Sequence, residues 1–165
     1  MRPRTAGRRL ALQYLFMEDL AGSGVERPES FFRMQREAVR DGSRRDADPD
    51  ERFFDKPDLY REEAEDFALS LIDAVRGARD EIDSRISHAA SNWSLDRIGP
   101  IERNVIRMAL AELFLGDTPS GVVMDEAIEL AKRFGDRESG AFVNGVIDRL
   151  AGGRGNGAKP SGGEG

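Results

Sequence analysis

Residues 99–116 read GPIERNVIRMALAELFLG. Gly99-Pro100 is a helix start, because proline at the first helical position gives up no donor that the helix needs. Ile101, Val105, Ile106, Met108, Leu110, Leu113, Phe114 and Leu115 then place apolar groups on nearly every side of the segment 101–115. A helix that is apolar all round is buried all round. The stretch therefore predicts a central helix, closed by Gly116, with other helices packed about it. Glu112 falls on the wheel among Ile101, Val105 and Met108, away from Arg103, Asn104 and Arg107. A lone buried carboxylate is very costly, so this position predicts an internal salt bridge.

Helical periodicity continues on both sides. Downstream, Thr118-Pro119 opens a helix with Val122, Val123, Ala127, Ile128, Leu130, Ala131 and Phe134 inward, ended by Gly135. Ser139 is the candidate cap of a last helix carrying Phe142, Val143, Val146, Ile147 and Leu150. Upstream, a first helix beginning at Arg8-Arg9 carries Leu10, Tyr14 and Met17 and stops near Leu20. Ser30 is the candidate cap of a second helix with Phe31 and Phe32. Asp58 is the candidate cap of a third, with Ala64, Phe67, Ala68, Leu71, Ile72 and Val75, closed by Gly77. A fourth carries Ile82, Ile86, Ala89 and Ala90, and Trp93 arrives near its end. No strand pattern and no fixed-period repeat is visible. The reading is an all-α bundle of seven helices over 1–151. Residues 41–58 form an acidic loop insert, and the Gly-rich 152–165 form a flexible, disordered tail.

The chain has 165 residues, no cysteine and one histidine, His88. That excludes disulfide frameworks, thiolate metal sites, cysteine nucleophiles and multi-histidine sites. No P-loop or GxGxxG is present. Glu129 and Arg133, four apart, read as an ordinary helix-surface pair rather than an acid–base dyad. Nothing points to an enzyme, a metal or a cofactor. No apolar run reaches a membrane span, and acids follow the apolar run 10–17 where a secretory signal needs small residues. The expected location is the cytoplasm.

The net charge of −6 is unevenly spread. Arg2, Arg4, Arg8 and Arg9 make the first fourteen residues basic, with no acid among them. Residues 41–66 hold eleven acids against five bases. Arginines at a helix start oppose the helix dipole, yet with the free N–H groups there they suit a phosphate. A polyanion such as RNA is the expected partner. Phe142-Val143-Asn144-Gly145 is the second irregularity. Glycine inside a helix costs about 1 kcal/mol relative to alanine and usually marks a close backbone approach. Phe142 reads either as core or as a stacking platform for an unpaired base.

Several stretches together resemble the NusB transcription antitermination family. Trp93-Ser94-Leu95-Asp96-Arg97-Ile98, followed by Ile101-Glu102-Arg103-Asn104-Val105-Ile106-Arg107-Met108 and onward to Leu113, is similar to its central signature. Val122–Gly135 and Phe142-Val143-Asn144-Gly145-Val146-Ile147 are similar to its C-terminal signature, and Arg8-Arg9-Leu10-Ala11-Leu12-Gln13 to its opening motif. The family usually has Ala-Arg-Glu where Gly7-Arg8-Arg9 stand here. The resemblance implies a compact NusB-like fold of two small helical subdomains. It implies binding of boxA RNA of ribosomal RNA transcripts jointly with NusE, a small-subunit ribosomal protein, within the RNA polymerase antitermination complex. It implies RNA contacts from Arg2, Arg4, Arg8, Arg9, Phe142 and Asn144, and a partner contact from Glu102. The alternative reading is a homodimeric helical scaffold without direct RNA contact.

Overall fold

The computed structural model describes residues 1–42, 57–90 and 93–155. Most of the acidic loop expected over 41–58, and the end of the tail expected over 152–165, lie outside the described residues. Among the described residues there are seven α-helices and no strand. They form two compact units, Met1–Ala78 and Arg79–Gly165.

The first unit holds α1 (Pro3–Ala21), α2 (Pro28–Asp41), a 3-10 turn (Pro57–Tyr60) and α3 (Glu62–Gly77). Helix α1 starts earlier than its arginines suggest. Pro3 occupies the first turn and Arg2, in extended conformation, is the N-cap. Arg8 and Arg9 therefore stand in the second turn, and the free N–H groups of the helix start are not next to them. Prolines also override the expected cap of the second helix: Pro28 opens α2 and Ser30 lies inside it. Asp58 is likewise not a cap. It falls in the 3-10 turn, and α3 starts after Arg61 with Glu62, Glu63 and Glu65 in its first turn, where the helix dipole favours anions.

Helices α1 and α3 are the main packing pair of this unit. Their contact is closest at Gly7, where a Cβ would lie 2.7 Å from the Ala64 carbonyl oxygen and 2.9 Å from Phe67 Cδ1. The remaining core joins Leu10, Ala11, Leu15, Phe32, Leu59, Ala68, Leu71, Ile72 and Val75, all buried. Tyr14 is a hub. Its ring meets Phe31 and Phe32 edge-on at 5.6 and 6.3 Å. Its hydroxyl donates to the Glu26 carbonyl at 2.8 Å and accepts from Arg76 at 2.9 Å. Burial pushes the Tyr14 hydroxyl pKa up, and Arg76 is held up by its hydrogen bond to Glu18. Arg36 of α2 reaches Glu65 of α3 at 2.8 Å.

The second unit holds α4 (Arg79–Ala89), a 3-10 turn (Leu95–Arg97), α5 (Pro100–Leu115), α6 (Ser120–Phe134) and α7 (Ser139–Gly155). Helix α5 contacts α4, α6 and α7, as its apolar circumference requires. Gly116 ends it in the left-handed conformation, at φ 75°. Every residue from Asn104 to Glu112 is buried. That includes Asn104 and Arg107, which the wheel sets on a polar side. Arg107, 4% exposed, finds its counter-charge on α4. It donates to both carboxylate oxygens of Asp83, at 2.7 and 3.0 Å, and to Asn104 Oδ1 at 3.3 Å. Asn104 in turn donates to the Pro100 carbonyl at 2.8 Å. Glu112, 3% exposed, is also engaged by a neighbour.

Two expectations about the last helices change. Val122 is exposed, because the buried stripe of α6 is Val123, Ala127, Leu130 and Ala131, and Val122 stands one position off it. Helix α7 runs to Gly155, past the tail boundary expected at Gly152. Once the packed part of a helix is formed, adding further turns is far easier than nucleating one. No helix among the described residues is long and apolar enough to cross a membrane.

Two substitutions test this packing. Gly7→Ala should lower stability by about 1–3 kcal/mol, the cost of overpacking, because one of the groups in the way is backbone. Urea unfolding measures it, and an unchanged midpoint would mean that α1 and α3 can separate freely. Asp83→Asn should cost about 3 kcal/mol, since it leaves the buried Arg107 guanidinium without a counter-charge. Adding Arg107→Met should recover part of that loss. A double variant no better than Asp83→Asn alone would show that the pair matters for its shape and not its charge.

Candidate nucleic-acid interface

The basic corner of the first unit is built on α1. Arg2 and Arg4 are exposed, Arg9 is half-buried and Arg8 is buried. No acid stands in the first turn of α1. Arg4 and Arg8, four residues apart, project from the same side of the helix. Each guanidinium carbon lies 5.2 Å from the centroid of the Phe67 ring on α3. A cation over an aromatic face is favoured by about 0.5–1 kcal/mol when exposed and about 2 when desolvated. Arg8, only 3% exposed, differs here from the exposed phosphate anchor that its sequence position suggests. Its side chain is spent on the α1–α3 contact. Arg2, Arg4 and Arg9 are the members of the cluster with surface exposure.

The second unit brings Glu102 and Phe142 together around one cavity of about 200 Å³, with Trp93, Gly99, Asp136 and Ser139 also in its wall. Glu102 stands in the first turn of α5, and any side chain at Gly99 would collide with its carboxylate. The buried Ser139 hydroxyl, at the start of α7, donates to the Glu102 carboxylate. It accepts the Asp136 N–H at 2.9 Å. The Asp136 carboxylate accepts the Glu138 N–H at 2.9 Å and lies 3.1 Å from the same hydroxyl. The Glu138 N–H, then Ser139, hold the Asp136 carboxyl below its usual range. Ionised carboxylates only accept hydrogen bonds. This cavity therefore repels phosphate and suits donors, such as the amino edge of a base or the cationic side chain of a protein.

A second cavity, of about 240 Å³, shares Trp93 and Phe142 with the first and continues along α7 past Gly145 to Arg149. Asn144 does not belong to either lining. It is exposed on another side of α7, two residues from Phe142. Gly145 is not a point of close approach within the protein, since a Cβ there would meet nothing within 4 Å. His88 Nδ1 lies 2.9 Å from the Ser84 carbonyl, and no group of three metal-binding side chains occurs among the described residues.

Three residues of these surfaces have no clear sequence signal. Phe67 reads as one more apolar residue of α3, and only its position under two arginines sets it apart. Arg103 sits on the polar side of α5, but its guanidinium donates to the Leu95 and Ile98 carbonyls at 3.2 and 2.9 Å and so fixes the 3-10 turn that follows Trp93. Arg149 donates to the Ala89 carbonyl at 3.0 Å, across 60 residues of chain. Trp93 does carry a signal, being the only tryptophan and lying between polar neighbours. It is 52% exposed, which is unusual for so large an apolar ring.

Comparison with known proteins agrees with this architecture. The NusB family model matches residues 5–152. The chain is 39% identical over 153 residues to the transcription antitermination protein NusB of Myxococcus xanthus, covering 92% of this chain and 96% of that one. Among solved structures, it is similar to one of the antitermination factors NusB and NusE in complex with double-stranded RNA. There the TM-score is 0.68 at 30% identity, over 93% of this chain and 98% of that one. A chain from the crystal structure of a plectonemic RNA supercoil gives a TM-score of 0.71 at 29% identity, over 96% and 100% of the two chains. With its signatures matched from the first helix to the last, this chain belongs to the NusB family.

Proposed function

We propose that this chain is a transcription antitermination factor without catalytic activity, acting in the cytoplasm. In this reading it binds boxA RNA of ribosomal RNA transcripts jointly with NusE, and the pair enters the RNA polymerase antitermination complex. The observation that carries the reading is the likeness, over nearly the whole chain, to a NusB solved with NusE and RNA.

The residues divide the work by chemistry. Arg2, Arg4 and Arg9 neutralise phosphates, which supplies affinity without base selection. Arg8 and Phe67 hold that corner in place, with Arg8 inside it. Phe142 stacks on an unpaired base, and Asn144 offers an exposed amide to the same strand. Glu102, at the mouth of the acidic cavity, meets a donor on the partner protein.

Each phosphate neutralised on a single strand adds about 0.7 to the steepness of log affinity against log salt. Replacing Arg2, Arg4 and Arg9 together by alanine should therefore flatten that slope by about 2. Fluorescence anisotropy of a labelled boxA oligonucleotide at several salt concentrations measures it. An unchanged slope would remove the arginines from the interface. Light scattering tests the competing scaffold: a dimer whose mass is the same with and without RNA would favour it.

A further inference from the structure

We propose that Trp93 and Phe142 form the walls of a stacking slot for one unpaired nucleobase of the bound RNA, with Gly145 as its open floor. The proposal rests on the RNA-binding reading above and names the residues that engage a base.

The slot is the cavity of about 240 Å³ lined by Ala90, Trp93, Ala141, Phe142, Gly145 and Arg149, with Val146 behind them. Its wall is apolar apart from the Arg149 guanidinium and the indole N–H. An ionic group would lose its hydration there without replacement, whereas a flat aromatic ring would not. Ala90, Ala141 and Gly145 contribute almost no side chain, so the space between the two large rings stays open. Gly145 is the telling residue. It stands inside α7, where alanine would favour the helix. No protein atom comes within 4 Å of the place its Cβ would occupy. The protein's own packing thus gives no reason for glycine, and a ligand that needs the space does.

The rings have a matching oddity. Trp93 leaves about half of its surface in water, and Phe142 is half-buried beside it. Arg149 is held at the rim by the Ala89 carbonyl at 3.0 Å, which places a cation next to the slot, where the backbone of a seated nucleotide runs. The slot grips faces rather than edges, so it should tolerate any base. An aromatic side chain of a protein partner would fit the rings but would make no use of the rim cation.

Trp93 is the only tryptophan, so its emission reports on the slot alone. Adding a labelled boxA oligonucleotide to the full chain should quench that emission in step with the anisotropy change. Trp93→Ala should weaken binding roughly tenfold, within the range produced by removing a stacking aromatic, and Trp93→Phe should restore most of it. Gly145→Leu should raise the melting temperature while weakening binding, the opposite of what a structural glycine would give. A series of single abasic sites should reveal one position where losing the base costs about tenfold in the wild type and nothing in Trp93→Ala. If the oligonucleotide binds but the emission, Trp93→Ala and Gly145→Leu all leave binding unmoved, the slot is wrong and the RNA-binding reading stands. If emission responds to NusE alone and not to RNA, the slot belongs to the protein partner and the proposal is overturned. If the oligonucleotide binds under no condition, both fall.

Discussion

The contact of α1 with α3 at Gly7 sets the conditions for everything at the basic corner. A hydrogen in place of a methyl lets the α1 backbone approach the Ala64 carbonyl and the Phe67 ring to van der Waals distance. Arg4 and Arg8 lie three residues before and one after that point, so the same approach puts Phe67 beneath both guanidinium groups. Cations near a helix start oppose the dipole by about 0.3–1 kcal/mol each. The Phe67 ring offsets that penalty by an amount of similar size. With a larger residue at position 7, α1 would ride higher on α3 and the arginines would lose the ring that orders them. A basic surface that is ordered in advance loses less freedom on meeting a polyanion.

The second unit is organised by polar groups inside an apolar helix. Arg107 and Asn104 take positions that a hydrophobic residue would fill more cheaply. In exchange they tie α5 to α4 through Asp83 and cap the carbonyl of Pro100. The rotation of α5 about its axis is thereby fixed. Its first turn then presents Glu102 to Ser139 on α7, and Arg103 to the turn that follows Trp93. Both cavities owe their walls to that rotation. A purely apolar α5 could pack in several rotations of similar energy, and the walls would not be placed uniquely.

Periodicity made the seven helices and the central place of α5 legible, because a helix buried on all sides leaves a dense apolar pattern that few alternatives share. Helix starts were less legible. Ser30 and Asp58 are good caps in isolation, but Pro28 and the 3-10 turn at 57–60 act earlier in the chain and decide where α2 and α3 begin. The wheel misplaced Arg107, since an arginine can be buried only when a partner such as Asp83, 24 residues away, meets it, and no local pattern reports that pairing. Phe142 and Glu102 could be singled out as neighbours of function by resemblance, and the structure does bring them to one cavity. Phe67 and Arg149 could not, because their roles depend on helices that approach from elsewhere in the chain.

The two cavities that share Trp93 and Phe142 impose opposite demands on whatever lies against them. One is rimmed by Glu102 and Asp136, the latter's carboxyl held below its ordinary range, and stays anionic at neutral pH. The other is apolar with a single cation at its edge. A strand of RNA cannot satisfy both with its backbone. Its phosphates are excluded from the first by charge and from the interior of the second by dehydration. Only bases can enter, and the sugar–phosphate chain must pass outside, on the Arg149 side of the slot. The pair of cavities would therefore fix which way a bound strand faces even where it reads no sequence. Affinity from arginines alone would leave that choice open, because a phosphate looks the same from either direction.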